Sequence, residues 1–375
     1  MDSVRIAIFT ETYYPTPDGV SHYLRDIRDA LIQEGHEVLL FSLTGEKSPN
    51  VYVIRGLPIP FYRQYRFPIL IFPFGIFFRA KKFRPDVVHI HSPFFMGTVG
   101  TMVARFLKVP LVASFHTDFS QMRDSIHWPF KDFLFNLSFG YNKYLYSFSN
   151  TIICPSNHAV ELARSYGMHP LSEIPLFVDT DRYSPGSESK EKILLFVGRI
   201  TVDKGVYSVL ELAKSLSGTG YRITICGTGP EEKGVASYIS DHSLDGLVDF
   251  RGYVSEKEKI DLMRKAEFFV YPASADTFGI SVLESLSCGT PAIVPARFPL
   301  HGYGNGDSGL IKSDFSNPDS IIRQISEIHN DPGRYRSLST AASKFAEESF
   351  GVREHTHSLV SIYESLVRQR VEPDM

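Results

Sequence analysis

Two short motifs set charged residues and glycines where a diphosphate could bind. The first, Gly198–Gly205, reads G-R-I-T-V-D-K-G and follows an apolar segment. It places the guanidinium of Arg199 and the ammonium of Lys204 just beyond a predicted strand. Arginine offers phosphate oxygens a planar fork and lysine offers them a point charge. We predict that both residues bind a diphosphate; the alternative is a surface loop with two solvated cations.

The second motif, Asp276–Glu284, reads D-T-F-G-I-S-V-L-E and opens a predicted helix. The first amides of a helix lack internal partners, so a glycine at Gly279 lets a phosphate approach them closely. The carboxylates of Asp276 and Glu284 can accept hydrogen bonds from the hydroxyls of a sugar and a ribose. For Glu284 the alternative is a solvated helix residue. Together the motifs predict a pocket for a nucleoside diphosphate sugar, which favours sugar transfer as the function.

The elements that must position these motifs alternate between short apolar strands and longer amphipathic helices. Predicted strands are Arg5–Thr10, Glu37–Ser42, Val87–His91, Leu111–His116, Thr151–Cys154, Ile193–Val197, Arg222–Cys226, Val248–Gly252, Phe268–Tyr271 and Ala292–Pro295. Predicted helices include Val20–Glu34, Thr98–Leu107, Val206–Leu216, Glu256–Ala266, Ile280–Cys288, Arg334–Ser349 and Arg353–Arg370. Apolar strands that are each followed by a helix predict parallel sheets covered on both faces.

The strand series restarts after a polar stretch, Ser184–Lys192, which we interpret as a linker. A chain of 375 residues with 43% hydrophobic and 22% charged residues can fill two cores. We therefore predict two Rossmann-like, doubly wound α/β domains with a cleft between them. Residues 1–180 form an acceptor-side domain and 181–350 a nucleotide-sugar-binding domain. Residues 351–375 form a helix that packs back toward the first domain.

Other candidate residues follow predicted strands, where ligands of open parallel sheets bind. The turn Gly227–Pro230 either contacts ligand or only links a strand to a helix. Val254 is a candidate for backbone contacts to the base. In the first domain Gly19 opens a helix and could face the diphosphate from across the cleft. His116 ends a strand at the same edge, although a lone histidine is more often structural.

Cysteine usage and hydropathy indicate a cytoplasmic protein. The three cysteines, Cys154, Cys226 and Cys288, each lie in or beside an apolar segment, which predicts buried reduced thiols in a reducing compartment. Their spacing shows no metal-ligand pattern. The N-terminus has no signal-peptide pattern. The longest apolar stretch, Phe67–Phe78, is about half the length that spans a bilayer and contains two prolines.

Residues 47 to 85 combine positive charge with aromatic side chains. They contain no Asp or Glu, eight Lys or Arg and ten aromatics; since the whole chain has net charge -3, the remainder is -3 - 8 = -11. The pattern predicts a face that lies on an anionic membrane. The alternative is a packed helix with a solvated basic turn. Nothing else resembles a nucleic-acid module, so no nucleic-acid partner is expected.

The order and spacing of these motifs resemble the retaining GT-B glycosyltransferases of family four, over nearly the whole chain. The similarity extends to Phe177–Tyr183 near the predicted hinge, to Cys288–Pro291 and to a closing helix with Tyr363. It implies that the second domain holds the donor, that the anomeric configuration is retained and that neither metal nor cofactor is needed. The sequence departs from the family at Asp276, usually Glu, and at Phe177, usually Gly.

The resemblance also implies roles for individual residues. Arg199 and Lys204 would bind the diphosphate and Glu284 the ribose. The donor sugar and phosphate would be held by Asp276 and the backbone of Phe278, Gly279 and Ile280. Gly19 would contact the phosphates, and His116 would lie near the anomeric carbon. Asp276 and His116 are thus the predicted catalytic residues.

The acceptor is predicted from two segments, Leu57–Tyr62 and Ser114–Thr117, which are similar to members that glycosylate diacylglycerol or other lipids. We expect a membrane lipid or lipid-linked glycan as acceptor, and a peripheral protein at the inner membrane face. Two other functions stay open from the sequence. One is a GT-B nucleotide-sugar epimerase, and the other is a catalytically silent nucleotide-sugar-binding subunit.

Overall fold

The computed structural model describes residues 3–16, 19–54, 56–59, 62–68, 74–116, 131–273, 276–304 and 307–371. The chain divides into two compact units. The first comprises Met1–Phe177 and Val352–Met375, and the second Val178–Gly351. The first unit therefore ends three residues before the predicted boundary at residue 180.

The elements are numbered here in chain order. The strands are β1 Arg5–Thr10, β2 Glu37–Ser42, β3 Val51–Val53, β4 Gly56–Ile59, β5 Tyr62–Pro68, β6 Val87–Ile90, β7 Leu111–Ser114, β8 Thr151–Cys154, β9 Leu171–Glu173, β10 Glu191–Val197, β11 Arg222–Cys226, β12 Val248–Gly252, β13 Ala266–Val270, β14 Ala292–Pro295 and β15 Leu310–Ser313. The helices are α1 Gly19–Gln33, α2 Phe74–Phe83, α3 Phe95–Leu107, α4 Lys131–Tyr146, α5 Asn157–Ser165, α6 Val206–Lys214, α7 Glu232–Asp241, α8 Glu256–Lys265, α9 Ile280–Ser287, α10 Pro318–His329, α11 Pro332–Ser349 and α12 Val352–Val371.

The first unit is built on a seven-stranded parallel sheet in the order β3-β2-β1-β6-β7-β8-β9, with β4 and β5 forming a separate antiparallel pair. Alternate residues of one strand enter different cores. Ala7 and Phe9 pack on one face of the sheet, and Ile6 and Ile8 pack on the other. Strands of this kind read as continuous apolar runs because both faces are covered. The predicted doubly wound arrangement is confirmed.

The second unit is a six-stranded parallel sheet in the order β12-β11-β10-β13-β14-β15. The chain enters at β10, moves outward through β11 and β12, and returns to pair β13 with β10. Strand order therefore reverses between β10 and β13. In open α/β sheets this switch point, at the carboxyl ends of the strands, is where ligands bind. The two motifs follow these two strands.

The polar stretch Ser184–Lys192 does not separate the units, so its interpretation as a linker is wrong. It lies inside the second unit, and β10 already begins at Glu191. Arg264 Nε donates to the carbonyl of Ser184 at 2.8 Å, and Lys190 donates to the hydroxyl of Thr290. Burial lowers the pKa of Lys190 to about 8. Turn-forming composition cannot distinguish a linker from a packed loop, because partners distant in sequence decide the difference.

Cys154, Cys226 and Cys288 are buried and free, as predicted for reduced thiols. Burial raises the pKa of each to about 12. Over the described ranges, no helix combines the length and the apolar composition that crossing a membrane requires.

Candidate functional site

The loop after β10 carries Arg199 and Lys204 and lies against the segment that follows β13. Within this loop Val202–Lys204 form a turn of 3-10 helix, and Gly205 has a left-handed backbone, φ 76°, at the start of α6. A Cβ on Gly205 would lie 2.7 Å from Cβ of Pro272. Because only glycine combines this φ with this approach, Gly205 lets the first motif reach the second.

Lys204 and Asp276 form a direct ion pair between the two motifs. Lys204 Nζ lies 2.7 Å from Asp276 Oδ2, and the two side chains are 16% and 13% exposed. Tyr271 Oη donates to the same oxygen at 2.6 Å, and the amide of Phe278 donates to Oδ1 at 3.2 Å. Burial alone would raise the pKa of Asp276, but Lys204 and these two donors hold it well below its usual range. The carboxyl is therefore ionised at neutral pH.

Arg199 is the more exposed cation of this region. Its guanidinium lies 3.9 Å from Asp203, and its side chain is 39% exposed. Burial and the neighbouring Asp276 raise the pKa of Tyr271 well above its usual value, and the positive charge of Arg199 opposes that rise. Arg199 therefore acts electrostatically on the phenol that holds Asp276. We name Arg199, Lys204, Tyr271, Asp276 and Gly279 the donor cluster.

Helix α9 begins beside Asp276 and presents main-chain groups there. Gly279 precedes it with φ 91°, and no side chain caps the helix. A Cβ at Gly279 would lie 2.3 Å from Cζ of Phe298, so glycine is required by both φ and space. The ring of Phe278 is buried against Phe350. The side chain of Phe278 is therefore not available to a ligand, while Ile280 is half-buried. Ligand contact by the main chain of residues 278 to 280, which the family resemblance implies, stays a prediction.

Glu284 lies one turn into α9 and is buried, so the alternative of a solvated helix residue is wrong. Its Oε1 accepts from Lys259 Nζ of α8 at 2.7 Å, with the two side chains 10% and 15% exposed. Lys259 Nζ also lies 4.9 Å from the ring centre of Tyr183. Lys259 could not be identified from the sequence, since nothing in the second motif indicates which cation of α8 packs against Glu284.

The turn Gly227–Pro230 supports the loop that carries Arg199. Gly227 has φ 140°, and a Cβ there would lie 1.8 Å from the carbonyl oxygen of Gly198. A Cβ on Gly229 would lie 2.3 Å from the carbonyl oxygen of Ile200. These contacts explain the glycines by packing. Val254 follows β12 and is half-buried at the same sheet edge, with β11 between its strand and β10.

The two candidates of the first unit lie at the carboxyl edge of its own sheet. Gly19 is exposed at the start of α1, and His116 comes two residues after β7. The predicted strand Leu111–His116 is therefore too long. His116 Nε2 lies 3.0 Å from Nδ1 of His91, with the rings stacked at 17°. Tyr23 contacts His116 edge to face.

His116 does not stand alone: it is half-buried and belongs to a network with His89, His91 and His355, which are buried. His89 bonds to Tyr363 Oη at 2.6 Å and to Ser114 Oγ at 2.9 Å, while His355 bonds to Tyr23 Oη at 2.8 Å. Burial lowers the pKa of His116 and His355 to about 4 and holds the pKa of His89 and His91 far below the usual value. We name His89, His91, His116 and His355 the histidine network; its imidazoles are neutral at pH 7.

Part of this network could have been found in the sequence. His89 and His91 are two residues apart at the end of an apolar segment, so they share a face of the sheet. His355 gives no such signal, because α12 reaches the network only through the fold. Among the side chains that the structure describes, no three His, Cys, Asp or Glu residues are grouped to hold a metal ion. Independence from metal stays a prediction.

Two family models match the chain, one over each half. Residues 17–182 match the model of Glycosyltransferase Family 4, and residues 177–345 match that of Glycosyl transferases group 1. The chain belongs to the GT-B glycosyltransferases of family 4. The predicted family and enzyme class are thereby confirmed, and this glycosyltransferase carries both halves of the family pattern in the expected order.

Curated relatives of the glycosyltransferase include a glycolipid synthase and a mannosyltransferase. It is 26% identical over 400 residues to an alpha-monoglucosyldiacylglycerol synthase of Streptococcus pneumoniae, covering 96% of this chain and 86% of the relative. It is also 26% identical over 330 residues to a GDP-mannose-dependent alpha-mannosyltransferase of Corynebacterium glutamicum, covering 82% and 76%.

Solved structures show the same fold at low sequence identity. HepE of Anabaena, solved in complex with UDP and glucose, has a TM-score of 0.77 at 14% identity, covering 97% of this chain and 100% of that one. WaaG, described as a glycosyltransferase involved in lipopolysaccharide biosynthesis, has a TM-score of 0.68 at 14% identity, covering 96% and 99%. The predicted GT-B fold is confirmed.

Proposed function

We propose that this glycosyltransferase moves a hexose from a nucleoside diphosphate sugar to a membrane lipid or a lipid-linked glycan, with retention of anomeric configuration. The observation that carries the donor half is the Lys204–Asp276 pair beside the start of α9. The name of the Streptococcus pneumoniae relative, an alpha-monoglucosyldiacylglycerol synthase, supports the acceptor half. The family models favour transfer over the epimerase alternative.

Leaving-group stabilisation is the first task of the donor cluster. When the glycosidic bond to the donor breaks, negative charge grows on the β-phosphate. Lys204 and Arg199 supply positive charge, and the first amides of α9 supply hydrogen-bond donors to the same group. Preset groups of this kind lower the barrier because they interact most strongly with the transition state. No cofactor enters this proposal.

The protonation states limit what the two predicted catalytic residues can do. Asp276 is ionised, so it accepts hydrogen bonds from sugar hydroxyls and does not act as a general acid. His116 is a neutral imidazole at pH 7, since burial lowers its pKa to about 4. It can therefore orient a substrate group or accept a proton, but it contributes no positive charge. Glu284, already paired with Lys259, remains the predicted ribose contact.

The membrane part of the proposal rests on exposed apolar side chains of three helices in the first unit. In α2, Phe74 and Phe78 are 74% and 72% exposed, and Phe106 of α3 is 61% exposed. In α4, Phe133 and Leu137 are 67% and 62% exposed. The stripe of α4 continues with Tyr141 and Tyr144. We name the exposed apolar residues of α2, α3 and α4 the aromatic face, and propose that it enters the interface of an anionic membrane.

Only part of the basic stretch at residues 47 to 85 is available for this role. Phe77 packs against the core and against the ring of Phe106, and the Arg79 guanidinium lies 4.2 Å from the ring centre of Tyr52. For these residues the packing alternative is correct. Phe61 and Phe72 lie outside the described residues, as do the side chains of Tyr62, Tyr65 and Phe67. The proposed membrane contact therefore shifts toward α3 and α4, which lie outside residues 47 to 85.

A donor panel followed by a transfer assay tests the proposal. UDP-, GDP- and ADP-sugars are screened by thermal shift, and the best donor, with a labelled sugar, is incubated with lipid extract. We expect label in the lipid fraction, with the α-anomer shown by NMR. An isomerised donor without lipid product would support the epimerase. Donor binding without either product would support the silent subunit.

Vesicle flotation tests the membrane part separately. We expect the double variant Phe133→Ser/Leu137→Ser to lose binding to vesicles that contain phosphatidylglycerol, by about tenfold or more. Ile32→Ser on α1, which removes another exposed apolar side chain of the first unit, is the matched control. Equal binding by all three proteins would contradict a membrane-entering aromatic face. We also propose the inner face of the membrane as the site of action, supported by the three free buried cysteines.

A further inference from the structure

A cavity of about 820 Å³ lies at the amino-terminal edge of the sheet in the first unit. Arg5 begins β1 and Asp86 directly precedes β6, so the cavity is at the opposite sheet edge from Gly19 and His116. We name it the basic pocket. The charged residues that line it are Arg5, Lys81, Lys82, Arg84, Asp86 and Arg370.

The pocket has five cations and one carboxylate, a net charge of 5 - 1 = +4. The carboxylate is already bound: Arg5 donates to Asp86 through Nη2 at 2.8 Å, Nε at 3.2 Å and its own amide at 2.8 Å. Burial would raise the pKa of Asp86, but Arg5 lowers it and Arg370 adds to the lowering. In the described part of the chain, no acidic side chain forms an ion pair with Lys81, Lys82, Arg84 or Arg370.

Local helix electrostatics explain only some of these cations. Lys81 and Lys82 lie in the last turn of α2, where positive charge interacts favourably with the carbonyl end of the helix. Arg84 lies just beyond that helix with φ 54°, a left-handed conformation that glycine adopts more easily. Arg370 comes from α12, which is remote in sequence. The end of α2 therefore does not explain Arg370, which lines the same pocket.

Apolar side chains line the pocket beside these charged residues. Leu107, Val109 and Phe78 are among them, and Phe78 is 72% exposed and belongs to the aromatic face. A small soluble anion would use the cations and leave these apolar side chains without a partner. A ligand with a phosphate at one end and a hydrocarbon chain at the other uses both. We propose that the basic pocket binds the phosphate of an anionic phospholipid, with its chains directed along the aromatic face.

The proposal deepens the membrane part of the proposed function and does not depend on the donor cluster. Its test uses the full chain and monomeric dihexanoyl-phosphatidylglycerol below its micelle concentration, followed by calorimetry. Dihexanoyl-phosphatidylcholine tests the need for net negative charge, and inorganic phosphate tests the need for a lipid. The variant is Arg84→Gln/Arg370→Gln. The control, Arg164→Gln/Arg353→Gln, removes two exposed arginines of the first unit that do not line the pocket.

We expect saturable one-to-one binding of the phosphatidylglycerol, weakened at least about tenfold in the pocket variant and unchanged in the control. Lys204→Ala should bind this lipid like the parent even though its donor binding is weakened, so the two proposals can fail separately. Equal weakening in both double variants, or no saturable binding, would overturn the pocket. Inorganic phosphate or phosphatidylcholine binding as tightly as phosphatidylglycerol would overturn the assignment to an anionic lipid.

Discussion

The donor cluster of the second unit and the histidine network of the first unit bring polar side chains to the carboxyl edge of a parallel sheet in different ways. The donor cluster consists of full charges that hold one another, with Lys204 and Asp276 in contact at 2.7 Å. The histidine network consists of imidazoles that burial keeps neutral. A diphosphate needs preset charge, whereas a group that orients a reacting centre at neutral pH needs only dipoles and lone pairs.

The largest effect is expected from removing Lys204, the cation of the donor cluster that contacts Asp276. Lys204→Ala should lower turnover by about 10²- to 10³-fold and weaken donor binding, because the leaving phosphate loses its most buried positive partner. Steady-state kinetics and donor calorimetry measure both effects. Lys257→Ala, an exposed lysine of α8, is the control and should behave like the parent. Similar losses in the two variants would mean that general charge, not this contact, matters.

The pH range in which stability is lost should differ between the histidine network and the donor cluster. The histidines of the network have a reference pKa of 6.5 and a lower pKa when folded, about 4 for His116 and His355. The unfolded chain therefore binds more protons between these values, so this stability is complete above pH 6.5 and is lost as pH falls toward 4. The loss should be on the order of a few kcal/mol.

Asp276 in the second unit also loses its contribution as pH falls, but in a lower pH range than the histidines. Its lowered pKa stabilises the fold above its usual value of 3.8, and that contribution is lost only in stronger acid. Hydrogen exchange of the two units at pH 7 and pH 5, corrected for intrinsic rates, should show the larger loss of protection in the first unit. His301, whose pKa burial also lowers, makes a smaller contribution in the second unit. A uniform loss would contradict the buried neutral imidazoles.

The buried ion pair of Lys259 with Glu284 should contribute more to the free energy of unfolding than an exposed ion pair. Glu284→Gln leaves the charge of Lys259 without its partner, and we expect unfolding stability to fall by about 2 kcal/mol or more. The matched exposed pair joins Arg222 and Glu191 at 3.0 Å, with side chains 55% and 43% exposed. Arg222→Gln should change stability by less than about 1 kcal/mol. Urea titrations measure both, and equal values would contradict the burial argument.

The smallest effect is expected at the histidine network. His116→Asn should reduce turnover by about tenfold and leave donor affinity unchanged, since this residue is predicted to act on the reacting centre and not on the diphosphate. The pH profile of the parent should show no inflection near 6.5 from His116, because its pKa is about 4. Loss of donor affinity in the variant, or an inflection that disappears with it, would contradict this role.

The sequence predicted most of the fold because apolar strands buried on both faces leave a strong local pattern. It also predicted that Arg199, Lys204, Asp276 and Gly279 lie at one sheet edge, since motifs after strands of a parallel sheet converge there. The direct contact of Lys204 with Asp276 was not predicted, because both residues were expected to contact the ligand and not each other. Gly205 and Pro272 make that contact possible.

What escaped the sequence depends on tertiary packing. Lys259 is one of several cations in α8, and only the packing of α8 against α9 selects it as the partner of Glu284. The network around His116 needs α12 to return to the first unit with His355 and Tyr363. Helix α4 was not among the helices named from the sequence, and that Phe133, Leu137 and Tyr144 are exposed is visible only in the fold.

Calorimetry of a nucleoside diphosphate against the matching monophosphate tests the central claim most directly. The base found in the donor panel is used, with the parent protein and Lys204→Ala. If the β-phosphate binds to Lys204, Arg199 and the start of α9, the binding free energy of the parent should favour the diphosphate over the monophosphate by about 1.5 to 3 kcal/mol. The Lys204→Ala variant should lose most of that difference. An unchanged preference in Lys204→Ala would contradict the assignment of the donor site.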